Sequence, residues 1–166
     1  MKKIGILLGT VAVAGLTCTI NFNAFAESAK QEITDLEHKC ITATSTDEMA
    51  KLGCFDEAEI VVYDFTPPLE YAGDKAVRGD FNNFFNNVKD AKGKFVQLHV
   101  VTDGKLGIAY SIQHFTWTSK DGKPMEATLR VTDALHKTDG KWKVFHTHVS
   151  VPVNPETGKG EMDLNS

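Results

Sequence analysis

The chain has 166 residues and a formal charge of −4, with 18 Lys and Arg set against 22 Asp and Glu. That length suits one domain. With no basic stripe, no repeat and no low-complexity segment, nucleic acid is excluded as a natural partner.

Residues 1–26 read as an export signal peptide. Lys2 and Lys3 give a basic start, Ile4 to Ile20 is an apolar run without charge, and Ala24-Phe25-Ala26 offers the small-x-small pattern of a cleavage site. The run is short for a membrane span, and nothing later is long enough to be one. Thr17 precedes Cys18 where a lipoprotein carries a small Gly or Ala, which argues against a lipid anchor. The mature protein is expected to be periplasmic or secreted, with no membrane partner after cleavage. Loss of Lys2 and Lys3 takes its charge from −4 to −6. Cys40 and Cys54 remain; in an oxidising compartment they read as a disulfide, the alternative being two buried thiols.

Ser28 with Gln31 has the form of a capping box, opening a helix through Ile33, Leu36, Cys40 and Ala43. Ser45 with Glu48 repeats it for a shorter helix ending at Gly53. Ile60 to Phe65 reads as a strand stopped by Pro67-Pro68, and Leu69 to Ala72 as a short second one. Asp74 is placed to cap a third helix with Val77, Phe81, Phe84, Phe85 and Val88 on one face. Four strands follow: Lys94 to Thr102, Lys105 to Thr118, Pro124 to Lys137 and Lys141 to Val151. Asp103-Gly104, Asp121-Gly122 and Asp139-Gly140 mark the turns. The folded domain spans 27–154, and 155–166 read as a flexible tail.

This order predicts an α+β fold, in which a strongly twisted antiparallel sheet is covered on one face by three helices. The result is a cone with a cavity between the layers. Register decides what faces it. A three-residue loop at Thr138-Asp139-Gly140 brings the apolar faces of the last two strands together and turns Asp133 into the cavity. A two-residue loop sets Asp133 beside His146 instead. The first register, which segregates polarity better, is expected.

Two aspartates carry the chemistry. Asp64 closes Ile60-Val61-Val62-Tyr63, and Asp133 lies within Leu129-Arg130-Val131-Thr132-Asp133-Ala134-Leu135. A carboxylate on an apolar sheet face is costly unless paired, hydrogen-bonded or protonated. As a catalytic pair, a solvated Asp64 serves as base and a buried Asp133 as hydrogen-bond donor, for proton abstraction beside a carbonyl. The plainer alternative is that Asp64 organises the turn and Asp133 pairs with Arg130, His114 or His146. Tyr63, Tyr71, Phe81, Phe85 and Thr147 are the residues expected to touch a ligand. Arg130, Trp142, His146 and His148 share the polar face and suggest a dimer interface. The spacing of His146 and His148 admits a metal, but an interfacial pair is the simpler reading, and neither metal nor cofactor is expected.

Three segments carry a resemblance: Val61-Val62-Tyr63-Asp64-Phe65, Tyr71-Ala72-Gly73-Asp74-Lys75-Ala76-Val77-Arg78, and Asp139-Gly140-Lys141-Trp142-Lys143-Val144-Phe145-His146-Thr147-His148-Val149-Ser150. In order and spacing the chain resembles the SnoaL-like branch of the nuclear-transport-factor-2 superfamily. The resemblance implies the cone fold, a homodimer formed through the sheet, and a small-molecule ligand. It also implies, by similarity to the ketosteroid isomerases of that superfamily, a general base at Asp64 and a protonated acid at Asp133. Those isomerases add a Tyr from the first helix; here Cys40 falls near that position. A non-catalytic binding or assembly module is the alternative function.

Overall fold

The computed structural model describes residues 22–164. Cys18 and most of the expected signal peptide lie outside them; residues 22–26 continue directly into the first helix, α1 (Phe22–Cys40). Because α1 starts ahead of Ser28, the capping box expected there does not form. Ser28 lies within the helix and its hydroxyl donates to Glu32 Oε1 at 3.4 Å. The helix buries Ala29 and Ile33 along one face and packs Leu36 and Cys40 behind them. Helix α2 (Thr46–Leu52) has the expected caps. Ser45 Oγ accepts the Glu48 N–H at 3.1 Å, and Gly53 ends the helix at φ 73°, a conformation open to Gly at no steric cost. A disulfide, Cys40–Cys54, ties the end of α1 to the residue just past α2.

Strands β1 (Val61–Tyr63) and β2 (Tyr71–Ala72) precede helix α3 (Asp74–Asn87). Gly73 holds the N-cap place of α3 without a side-chain cap. Asp74, expected there, is instead the first helical residue and accepts from Arg78 Nε at 2.7 Å. The long strands are β3 (Val88–Thr102), β4 (Leu106–Ser119), β5 (Pro124–Thr138) and β6 (Lys141–Ser150). They build one six-stranded sheet in the order β2-β1-β6-β5-β4-β3, antiparallel throughout except where β1 runs parallel to β6. Among the described residues no helix is long and apolar enough to cross a membrane.

The β5–β6 hairpin corrects the expected register in an instructive way. Asp139 and Gly140 both take positive φ, 52° and 76°, as a two-residue turn requires, and Thr138 faces Lys141. The three-residue loop is therefore not used. A bulge at Phe145 then shifts the register, so that Leu135 faces Val144 but Ala134 faces His146 and Asp133 faces Thr147. Trp142 and Val144 point to the helices on the turn side of the bulge, and Thr147 and Val149 point inward beyond it. Asp133 thus reaches the cavity by a different device from the one expected.

The main core gathers Ile33, Ile60, Val77, Leu135, Trp142 and Val144 between α1, α3 and the sheet. Gly107 on β4 makes that contact possible, since a Cβ there would lie 2.5 Å from Ile33 Cδ1. The segment Cys54 to Asp56 runs beside β6, with Asp56 N–H donating to the Val144 carbonyl at 2.7 Å. Buried Asp56 then accepts from His136 Nε2 at 2.8 Å, locking the segment to β5. The residues after Pro155, expected to be loose, fold back: Asn154 Oδ1 accepts the Glu156 N–H at 2.9 Å, and Thr128 N–H donates to the Met162 carbonyl at 2.6 Å.

Candidate functional site

The second apolar cluster, Ala127, Leu129 and Val131 with Phe115, Trp117 and Val149, does not close onto the helices. It forms the sheet wall of a cavity of about 510 Å³, whose opposite wall is Glu37 of α1, Ile41 just past it, and Phe81, Phe84 and Phe85 of α3. Strand alternation sends Leu129, Val131, Asp133 and Leu135 inward, all buried. Asp133 therefore stands on the wall between apolar neighbours. Its Oδ1 accepts the Thr147 hydroxyl at 2.6 Å, and Thr147 reaches it because the Phe145 bulge sets the two residues opposite each other. Burial raises the Asp133 carboxyl from 3.8 to about 6, with the Thr147 hydrogen bond pulling the other way.

A second carboxyl, which sequence reasoning missed, faces the same space. Glu37 lines the cavity from α1 and is only 6% exposed. Its Oε1 has no hydrogen-bond partner among the described residues. Burial pushes its carboxyl well above the ordinary value, and the charge of Asp133 pushes it further. The two carboxyls face the same space and both are raised, so ionising both at once is unfavourable. The signal was present in the sequence: Ala29, Ile33 and Glu37 recur every four residues, placing a charge on the apolar stripe of an amphipathic helix.

Asp64 also lines the cavity, in the exposed turn after β1. Both its oxygens are engaged locally, Oδ1 by the Phe65 N–H at 2.8 Å and Oδ2 by the Thr66 hydroxyl at 2.5 Å. Asp80 on α3 joins it. Its carboxyl is raised by burial and by the charge of Asp64, while the Tyr71 hydroxyl acts to lower it. Asp80 too was overlooked, although it sits one turn ahead of Phe84 on the face of α3 that sequence reading made apolar.

The residues expected to touch a ligand divide. Phe81, Phe85 and Thr147 line the cavity. Tyr71 stands beside Asp80 outside the lining, and its hydroxyl donates to the Pro67 carbonyl at 3.2 Å. Tyr63 is on the opposite face of the sheet, because Val62 before it points inward. There its ring meets His146 and His148 edge-on at 4.7 and 6.1 Å. His146 Nδ1 donates to the Val61 carbonyl at 3.0 Å. Arg130, on that outer face, donates to the Val151 carbonyl at 3.0 Å rather than to Asp133. Trp142, expected with them, is not on the outer face: inside the bulge it is buried in the core, and its Nε1–H donates to Glu32 at 3.0 Å. Among the described residues no group of three or more His, Cys, Asp or Glu is gathered as a metal site.

A curved sheet backed by three helices, with acids on the wall of the space between them, defines a class of proteins. The SnoaL-like domain family model matches residues 12–154, and the chain belongs to that family. No curated protein matches it. Among solved structures it is similar to an NTF2-like protein of unknown function from Pseudomonas putida KT2440. The two are 22% identical over 84% of this chain and 98% of the other, with a TM-score of 0.72. An NTF2-like superfamily protein from Salmonella enterica serovar Typhimurium LT2 is 21% identical over 81% of this chain and 99% of its own, TM-score 0.69. A candidate scytalone dehydratase from Novosphingobium aromaticivorans is 12% identical over 76% of this chain and 86% of its own, TM-score 0.66. At these identities the likeness is one of fold.

Proposed function

We propose that this protein binds a small, partly apolar molecule in the cone and acts on it by proton transfer of the isomerase or cyclase type. The observation that carries the reading is Asp133, a buried carboxyl with a value of about 6 on the wall of an otherwise apolar cavity. A group with that value exchanges protons near neutrality, and the apolar walls would hold a ligand beside it. Asp133 is assigned as the acid and Asp64, at the exposed side, as the base. The fold shared with a candidate dehydratase agrees with such chemistry.

A non-catalytic binding module is favoured by one specific observation: both oxygens of Asp64 are occupied by their own turn. A base would have to release the Thr66 hydroxyl first. Export to the periplasm or beyond is part of the proposal, supported by the disulfide. So is a homodimer through the outer sheet face, where Ile108 and Tyr110 are half exposed.

The neutral fluorophore Nile red tests the cavity. It is expected to bind with one site per chain, and Val149→Phe, which fills the sheet wall, to weaken it at least tenfold at unchanged secondary structure. Binding indifferent to Val149→Phe would place the probe elsewhere and remove the cavity reading. For any substrate then identified, Asp64→Asn is expected to abolish turnover while leaving binding, and Asp133→Asn to abolish turnover; unchanged turnover would overturn the acid and base assignments.

A further inference from the structure

We infer that the ligand carries a basic nitrogen, and that its ammonium sits between Glu37 and Asp133 while its apolar body lies against the phenylalanines of α3. The inference rests on the cavity being a ligand site and names the class of molecule it takes.

Four groups of observations lead there. The first is charge. Among the described residues the lining includes the carboxyls of Glu37, Asp64, Asp80 and Asp133, but only one cation, Lys92. Lys92 is exposed on β3, whereas Glu37 and Asp133 are each 6% exposed, so it does not neutralise them. The second is the unpartnered atom. Oε1 of Glu37 is buried on the cavity wall with no donor among the described residues. A buried acceptor without a donor is destabilising, and a ligand N–H would supply the missing donor.

The third is the sign of the buried charge. Ionisation of either Glu37 or Asp133 leaves negative charge in a low-dielectric space, and an ammonium would offset it. A ligand carboxylate would add to it. A hydroxyl would satisfy Oε1 but leave the charge uncompensated. The fourth is the wall itself. Phe81, Phe84, Phe85, Phe115 and Trp117 present aromatic rings around the space, and aromatic faces attract cations as well as apolar groups.

Three isosteric probes test this at pH 7 by titration calorimetry on the purified protein: 4-phenylbutylamine, 4-phenylbutanol and 4-phenylbutanoate. The amine is expected to bind at least tenfold more tightly than the alcohol, and the carboxylate least tightly. In the Glu37→Gln/Asp133→Asn double variant the amine-to-alcohol ratio is expected to fall to within threefold of one. The single variant Glu37→Gln should lower the same ratio and serves if the double variant does not fold. Alcohol or carboxylate binding as tight as the amine would overturn this inference and leave the cavity reading standing. An amine preference that persists in the variants would also overturn it, since recognition would then lie elsewhere. Failure of all three probes to saturate at millimolar concentration would overturn both.

Discussion

Asp133 loses water on every side when the chain folds, and one hydroxyl from Thr147 does not replace it. The consequence is a pH dependence with a definite sign. The carboxyl is at about 6 in the folded protein against 3.8 ordinarily. Between those values the native chain keeps a proton that the unfolded chain has lost, so stability is full below about pH 4 and falls as pH rises through about 6. The difference corresponds to about 3 kcal/mol. Glu37 is shifted in the same direction by burial and by Asp133, which adds a loss of the same sign. Asp133→Asn keeps an acceptor for Thr147 without the charge. Its melting temperature should therefore rise relative to the unsubstituted protein between pH 4 and pH 7, by roughly 10 °C. Parallel melting curves across that range, followed by circular dichroism, would contradict the burial argument.

At the scale of elements, two close contacts hold the cone together. Ile33 of α1 rests on Gly107 of β4, where even a Cβ would lie 2.5 Å from Ile33 Cδ1. Gly107→Ala forces the buried Ile33 side chain to repack and should cost about 1–3 kcal/mol, measurable by urea denaturation; a neutral substitution would mean that Ile33 Cδ1 turns aside freely. The other contact is Cys40–Cys54, which closes a separation of 14 residues. A loop of that size limits the unfolded chain by about 3 kcal/mol, so reducing agent should lower the melting temperature by roughly 10 °C. No change would show that the bridge adds nothing to the native state. Legibility in the sequence was uneven here. Ser45, Glu48 and Gly53 announced α2 because caps are local chemistry. The Asp139-Gly140 turn was visible too, but the bulge at Phe145 was not, because it is set by how β6 packs on both β5 and β1. Without it, Trp142 was placed on the outer face with His146 and His148. Ser28 misled because a capping pattern means nothing where the helix has already begun.

For the whole molecule, the alternation of helices and DG-linked strands was enough to predict a cone, and Asp133 within an apolar strand was enough to predict a polar group in its cavity. Glu37 was hard to read because a buried charge stands out in a strand, where it breaks a simple alternation, and not in a helix. On α1 the same violation was hidden by the exposed acids Glu32 and Asp35 around it. What no pattern in the chain could supply is the meeting of Glu37 and Asp133 across the cavity, which comes from α1 packing over the sheet against β3, β4 and β6. The most direct test is an NMR titration of the side-chain carboxyl carbons of Asp133 and Glu37 in the folded protein. Asp133 is predicted to titrate at about 6 and Glu37 well above 4.5. Two simple titrations near the ordinary value of about 4 would mean solvated, independent carboxylates, and the acidic cavity described here would not exist.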